Sequence, residues 1–182
     1  MTVRSSDGKK DAFVLYCIDS NTYSTIKGVK GYDYIKRDQI DWYCKKSAEF
    51  TRNNGGEPVP SLAFFHIALP EFNQANAQLY GIRREKACAP ALNSGLFTAI
   101  KENGDVMGIF VGHDHDDDYA VCWYDVLLAY GRFTGGPTEY IHLPNGARII
   151  ELNEGARTFK TWIRTKAGVE QLTTYPDSFV KE

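Results

Sequence analysis

Three apolar runs constrain this chain more than any other feature. Residues 12–18, 61–65 and 106–111 carry five to seven consecutive residues each with almost no polar interruption. A strand with one wet face alternates apolar and polar residues, whereas a strand covered on both faces does not. Between the runs the apolar spacing becomes helical. Ile40, Tyr43, Ser47 and Phe50 share one face over 39–52, and Leu96, Phe97 and Ile100 share one from about 93 to 102. Asp38 reads as the N-cap of the first helix and Asn93 or Ser94 as that of the second. Asn53-Asn54-Gly55-Gly56 and Asn103-Gly104 stop them. Strand–helix–strand–helix–strand predicts parallel strands in a covered sheet, because parallel neighbours need a crossover between them.

Beyond Asp118 the pattern becomes β-rich at 119–129, 147–152, 157–165 and 169–174. Turns at Gly135-Gly136-Pro137, Asn145-Gly146 and Asn153-Glu154-Gly155 separate these segments, as in a β meander. The expected class is therefore α/β (α+β), a mixed sheet followed by a β meander, with residues 1–182 as one domain. With 11 Tyr, 10 Phe and 3 Trp, large buried rings suit such a sheet-rich core. Residues 67–90 read as one long irregular connection, a length that usually carries function.

A formal charge of −2, with Lys and Arg scattered, provides no broad basic face for nucleic acid or an anionic membrane. The first ten residues have no apolar signal core, and no run reaches transmembrane length, so localisation is left open. Cys17, Cys44, Cys88 and Cys122 form no C-x-x-C pair. Their apolar neighbours read as reduced, buried thiols, with a disulfide left open.

The chemistry concentrates in the histidines. Of four in the chain, His113 and His115 flank Asp114 directly after the third apolar run, and His66 closes the second. Ligand sites in open α/β sheets gather beyond the carboxyl ends of strands, so these imidazoles can converge there. The two rings of an H-x-H loop can diverge toward metals about 3.5–4 Å apart, as in two-metal hydrolases. Gly112 reads as permitting the close backbone turn. His142 reads as a packing or surface residue.

Phe64-Phe65-His66-Ile67-Ala68-Leu69-Pro70-Glu71 resembles the F-H-x-P-L-P-E segment of calcineurin-like metallophosphoesterases. Gly108 to Asp118 is similar to their G-V-F-x-G-H-D-H-x-N-D segment, and Leu15 to Ser20 to their L-x-x-L-D-S strand. Pro90 to Leu96, Tyr130-Gly131-Arg132 and Gly146 to Leu152 match in the same order. The nearest branch is the purple-acid-phosphatase-like group. The resemblance implies the C-terminal portion of a four-layer α/β/β/α sandwich and a metal-dependent phosphoric ester hydrolase with a phosphate-ester substrate. It assigns His66 and His113 to one metal and His115 to the other, in a site of two divalent or trivalent ions, Mn, Fe or Zn. Asp114, Asp117 and Asp118 would orient the loop or the ligating rings from behind. Ala68 departs from the usual proline, and Asp117 stands where asparagine is frequent.

The family draws its remaining ligands from an N-terminal half, through D-x-H and G-N-H-[ED] motifs among others. No histidine precedes His66, so this half-site is expected to be inactive alone, with at most one ion weakly bound. The uncovered surface predicts a homodimer or association with the missing N-terminal half. The alternative is a non-catalytic binding or assembly module with vestigial histidines or a single ion. A calcium loop at Asp114, Asp116, Asp117 and Asp118 ranks low, lacking the spaced EF-hand pattern. Arg132 and Tyr80 are conceivable phosphate contacts, with a surface role as the alternative. Substrate-reading residues are expected in the loops at 67–90 and 130–145.

Overall fold

The computed structural model describes residues 1–136 and 141–180. The three apolar runs become β2 (Asp11–Cys17), β3 (Ser61–Phe64) and β5 (Val106–Val111). They lie side by side and parallel, with Phe64 opposite Phe110. β7 (Val126–Tyr130) extends the parallel set beyond β5. Antiparallel strands finish both edges: β1 (Thr2–Arg4) on one side, β6 (Ala120–Trp123) and β4 (Leu79–Tyr80) on the other.

Each face of this seven-stranded sheet is covered, which is why its central strands tolerate no polar alternation. Helices α1 (Arg37–Asn53) and α2 (Leu96–Asn103) cover one face. Tyr43, Leu96 and Ile100 there bury against Tyr16, Ile109 and Leu128. The other face meets a second sheet, the antiparallel meander β8 (Gly146–Leu152), β9 (Phe159–Thr165) and β10 (Val169–Tyr175). Phe159 and Tyr175 from that sheet pack among Phe13, Leu62, Phe110 and Leu127. The α/β class and the closing meander are as expected.

Several local expectations need correction. Lys36, not Asp38, is the N-cap of α1; Gln39 Oε1 accepts its backbone N–H at 2.7 Å. Asp38 sits within the first turn, where its charge suits the helix dipole. The N-cap of α2 is Gly95, held by Asn93, whose Oδ1 accepts the Gly95 N–H at 2.9 Å. The 119–129 segment is a hairpin of the main sheet, broken at Tyr124-Asp125, where both residues have positive φ. Pro137 lies outside the described residues. All four cysteines are free, but Cys17 is exposed and the others half-buried, so the expected burial does not hold.

A buried carboxylate ties α1 to the sheet. Asp105, just before β5, accepts hydrogen bonds from Tyr16 Oη at 2.9 Å and Tyr43 Oη at 2.5 Å. Burial, then the charge of Asp105, pushes both tyrosine pKa values far above the ordinary range. Among the described residues no helix is long and apolar enough to cross a membrane.

Candidate metal centre

Parallel pairing places the chemistry. The β3–β5 register continues past the strands: Phe65 N–H donates to Phe110 O at 3.2 Å, and Gly112 N–H to His66 O at 3.0 Å. His66 and the Gly112-His113 loop therefore leave adjacent strands at the same end of the sheet. The two imidazole centroids lie 5.3 Å apart. Gly112 does not have a positive φ; the residue that does is His113, at +76°. A side chain at position 112 would instead meet the His66 ring, with Cβ 3.4 Å from Nδ1. The glycine thus serves close approach, while the turn itself is made by the left-handed His113, a conformation uncommon outside glycine.

The walls of the site are built from several segments. Ser20, just beyond β2, accepts the Ile67 N–H through Oγ at 2.9 Å and fixes the chain after His66. The Tyr32 ring meets His113 edge-on at 4.6 Å and stacks on Tyr23. Asp114 is buried, with Oδ1 3.2 Å from His113 Nδ1. Its Oδ2 accepts from Tyr130 Oη at 2.6 Å and from the Cys88 N–H at 3.2 Å. Burial, then hydrogen bonding to Asp114, pushes the Cys88 thiol up to about 12. Burial, then the neighbouring His113, lowers the pKa of His66. The His115 ring lies against Phe133, centroids 4.5 Å apart.

His66 and His113 are thus brought together, and His115 is close enough for its charge to act on His66. Among the described residues, the three donors within ligating reach of one another are Cys88, His113 and Asp114, all within 4.8 Å. Cys88 and Tyr130 had no counterpart in the sequence-based site. The length of the 67–90 connection was the signal that could have drawn attention to Cys88.

The remaining aspartates of the loop each have a different set of partners. Asp116 pairs with His142, which is exposed as expected; burial opposes ionisation of Asp116, yet these hydrogen bonds lower its pKa. Asp117, fully buried, accepts the N–H groups of Arg84 and Glu85 at 2.8 and 3.2 Å. Burial pushes its carboxyl up to about 6. Asp118 accepts the Ile82 N–H at 2.7 Å and forms a buried ion pair with Arg132. Asp117 and Asp118 therefore brace the 81–86 loop, and Asp114 is the carboxylate at the His113 ring. Arg132 is neither a surface charge nor open to phosphate: it is buried on Asp118, Glu170 and Pro144 O. Tyr80 Oη is likewise engaged, by Ser178 O at 2.6 Å.

No family model matches the chain. Over 176 residues it is 38% identical to "Probable inactive purple acid phosphatase 29" of Arabidopsis thaliana, covering 85% of this chain and 44% of that protein. It is 31% identical to "Phosphatase DCR2" of Saccharomyces cerevisiae, covering 92% of this chain and 31% of that protein. The chain thus spans less than half the length of these curated relatives. Among solved structures, a dimetal phosphatase from Danio rerio superposes with a TM-score of 0.48 at 15% identity, covering 86% of this chain and 44% of the other. On its sequence relatives, the chain belongs to the purple-acid-phosphatase-like branch of the calcineurin-like metallophosphoesterases and corresponds to the C-terminal half of such a domain.

Proposed function

We propose that these residues supply the C-terminal half of a metal-dependent phosphoric ester hydrolase site, with His66 and His113 as ligands of one ion and His115 of a second. The observation that supports it best is the pair of imidazoles 5.3 Å apart at the ends of adjacent parallel strands. That separation leaves room for an ion between two nitrogen donors, each about 2.0–2.1 Å from it. Bound ions of this kind activate water and neutralise a phosphoryl group. The protein's own residues set the geometry. Asp114 orients the His113 ring, Tyr130 and the Cys88 N–H hold Asp114, and Ser20 pins the strand end that carries His66. Hydrogen bonds made to a ligand side chain rather than to the ion fix that ligand's orientation.

The ion would be Mn, Fe or Zn, and the substrate a phosphate ester. A bridging oxygen ligand is needed for a second tightly held ion. Hence these 182 residues alone should hold at most one, and should not turn over substrate. A cleft of about 510 Å3 beside His66, lined by Phe64, Phe110, Arg148 and Ile150, is the surface we assign to the N-terminal half. The share of the relatives' length left unmatched is the reason for choosing that occupant. A second copy of the chain would cover the cleft when that half is absent, and a monodisperse monomer at high concentration in light scattering counts against this.

Elemental analysis of protein supplied with Mn, Fe and Zn tests the site, together with hydrolysis of p-nitrophenyl phosphate. The expected result is at most one ion per chain, lost in His113→Ala, and no turnover. Two tight ions with turnover would place a complete site in these residues. Metal content unchanged by His113→Ala would remove the histidines from the site. That the Arabidopsis relative is called probably inactive favours a second reading, a non-catalytic module whose histidines are vestigial or hold a single ion; turnover after adding the N-terminal half excludes it.

A further inference from the structure

We infer that Tyr23 and Tyr32 form the wall of the metal centre against which the leaving group lies, so that the site prefers phosphate esters of aromatic alcohols. This deepens the phosphoesterase reading and rests on it. Neither tyrosine belongs to the loops at 67–90 and 130–145, where substrate contacts were expected.

Three observations carry it. The first is position. The Tyr32 ring meets the His113 imidazole edge-on, centroids 4.6 Å apart, so it borders any ion held by that imidazole. The ring of an aryl ester stands one bridging oxygen away from phosphorus and therefore comes within reach of this wall. An alkyl ester brings no ring there.

The second is construction. Ser24 N–H donates to Gly31 O at 2.9 Å and Asp33 N–H to Thr22 O at 2.8 Å, which leaves Tyr23 and Tyr32 directly opposed between those bonds as an antiparallel pair. Non-hydrogen-bonded pairs of this kind bring their side chains closest. The two rings stack at 5.1 Å with an interplanar angle of 18°. The base of this narrow hairpin is fastened twice. Lys36 ion-pairs with the buried Asp33 at 2.6 Å, and Asn21 Nδ2 donates to Tyr34 O and to Gln39 Oε1, each at 3.1 Å. The wall is thus preformed and needs no ligand to order it.

The third is exposure. Tyr23 is 64% exposed although it stands only one ring removed from His113. A planar group can extend the stack on Tyr23 or pack edge-on to Tyr32, arrangements that aromatic pairs favour at centroid separations of roughly 4.5–7 Å. Lys27 and Lys30, exposed at the tip of the hairpin, add positive charge that attracts an anionic ester.

The probes are benzylphosphonate and ethylphosphonate, in which a methylene replaces the ester oxygen so that neither is cleaved. Binding to the zinc-supplied 182-residue chain is read by NMR of isotope-labelled tyrosine rings. Benzylphosphonate should bind at least ~threefold more tightly than ethylphosphonate. It should also shift the Tyr23 and Tyr32 signals, which ethylphosphonate should leave in place. Tyr23→Leu, which keeps Tyr32 and its contact with His113, should bring the two affinities together without changing that of ethylphosphonate. Phenyl phosphate and a phosphotyrosine peptide then identify the source of the ring. Tighter binding of the peptide assigns protein substrates, and equal binding assigns small aryl esters.

Equal affinities in the parent chain, or a preference that survives Tyr23→Leu, overturn the wall alone and leave the imidazole pair standing. Binding of neither phosphonate overturns it together with the phosphoesterase reading. Tyrosine signals that ignore both probes and broaden with protein concentration mark a contact between chains, and the substrate role is then overturned.

Discussion

Removing the Arg132 guanidinium should be among the most damaging single changes in this protein. Its side chain is 1% exposed and that of Asp118 is fully buried. Arg132 Nε donates to Asp118 Oδ2 at 2.9 Å, and the guanidinium also reaches Pro144 O and Glu170. In Arg132→Met, the buried Asp118 carboxylate keeps two neutral donors, the Ile82 N–H and Gln171 Nε2, each at 2.7 Å, with the Arg148 guanidinium nearby on the Asp118 backbone carbonyl. Breaking a buried pair from one side costs about 3–5 kcal/mol, and the two surviving donors place this case near 3–4 kcal/mol. With a urea m-value of about 2 kcal/mol/M, the midpoint should fall by roughly 1.5–2 M. Because the pair is shielded from solvent, the loss should change little with salt. The double variant Asp118→Asn, Arg132→Met keeps an acceptor for Ile82 and removes the stranded charge. It should recover at least ~1 kcal/mol relative to Arg132→Met, a coupling expected only of contacting residues. A single-variant loss below ~0.5 kcal/mol, the ordinary range for surface changes, would refute the reasoning.

Three further outcomes follow from the same physics. Tyr43→Phe removes a hydrogen bond to the buried Asp105 carboxylate, and chemical denaturation should show a loss of about 1.5–3 kcal/mol. Gly81→Ala combines a φ of +107° with a Cβ only 2.9 Å from Asp118 O. It should cost ~1–3 kcal/mol and raise hydrogen exchange in the 81–86 loop. The Asp33 carboxyl, hydrogen-bonded by Lys36, has a pKa lowered below its ordinary 3.8, against the effect of burial. A depressed folded pKa adds stability above the unfolded value and loses it as pH falls through the folded one. The stability gap between parent and Asp33→Asn should therefore be flat above about pH 5 and shrink below pH ~4; a gap that grows on acidification contradicts this.

How far the sequence reaches can be judged residue by residue. The strands β2, β3 and β5 and the helix α1 were legible because burial on both faces, or on one helical stripe, leaves a local period in the residues themselves. The same pattern located His66 and His113, since a histidine directly after a buried strand must emerge at the sheet's carboxyl end. What lay beyond any local pattern was pairing across the chain. The run Asp116-Asp117-Asp118 looks alike in sequence, yet its members go to His142, to the backbone of residues 84–85 and to Arg132. Those partners lie 14 to 33 positions away in the chain. Arg132 carries no local sign of burial, and nothing near Cys88 indicates that it sits beside His113. Local residue periodicity is enough to specify the covered parallel sheet and the strand ends where the imidazoles stand. Which carboxylate meets which cation, and which thiol lies beside His113, comes from long-range packing, because hydrogen bonds and ion pairs depend on positions in space that no residue spacing encodes.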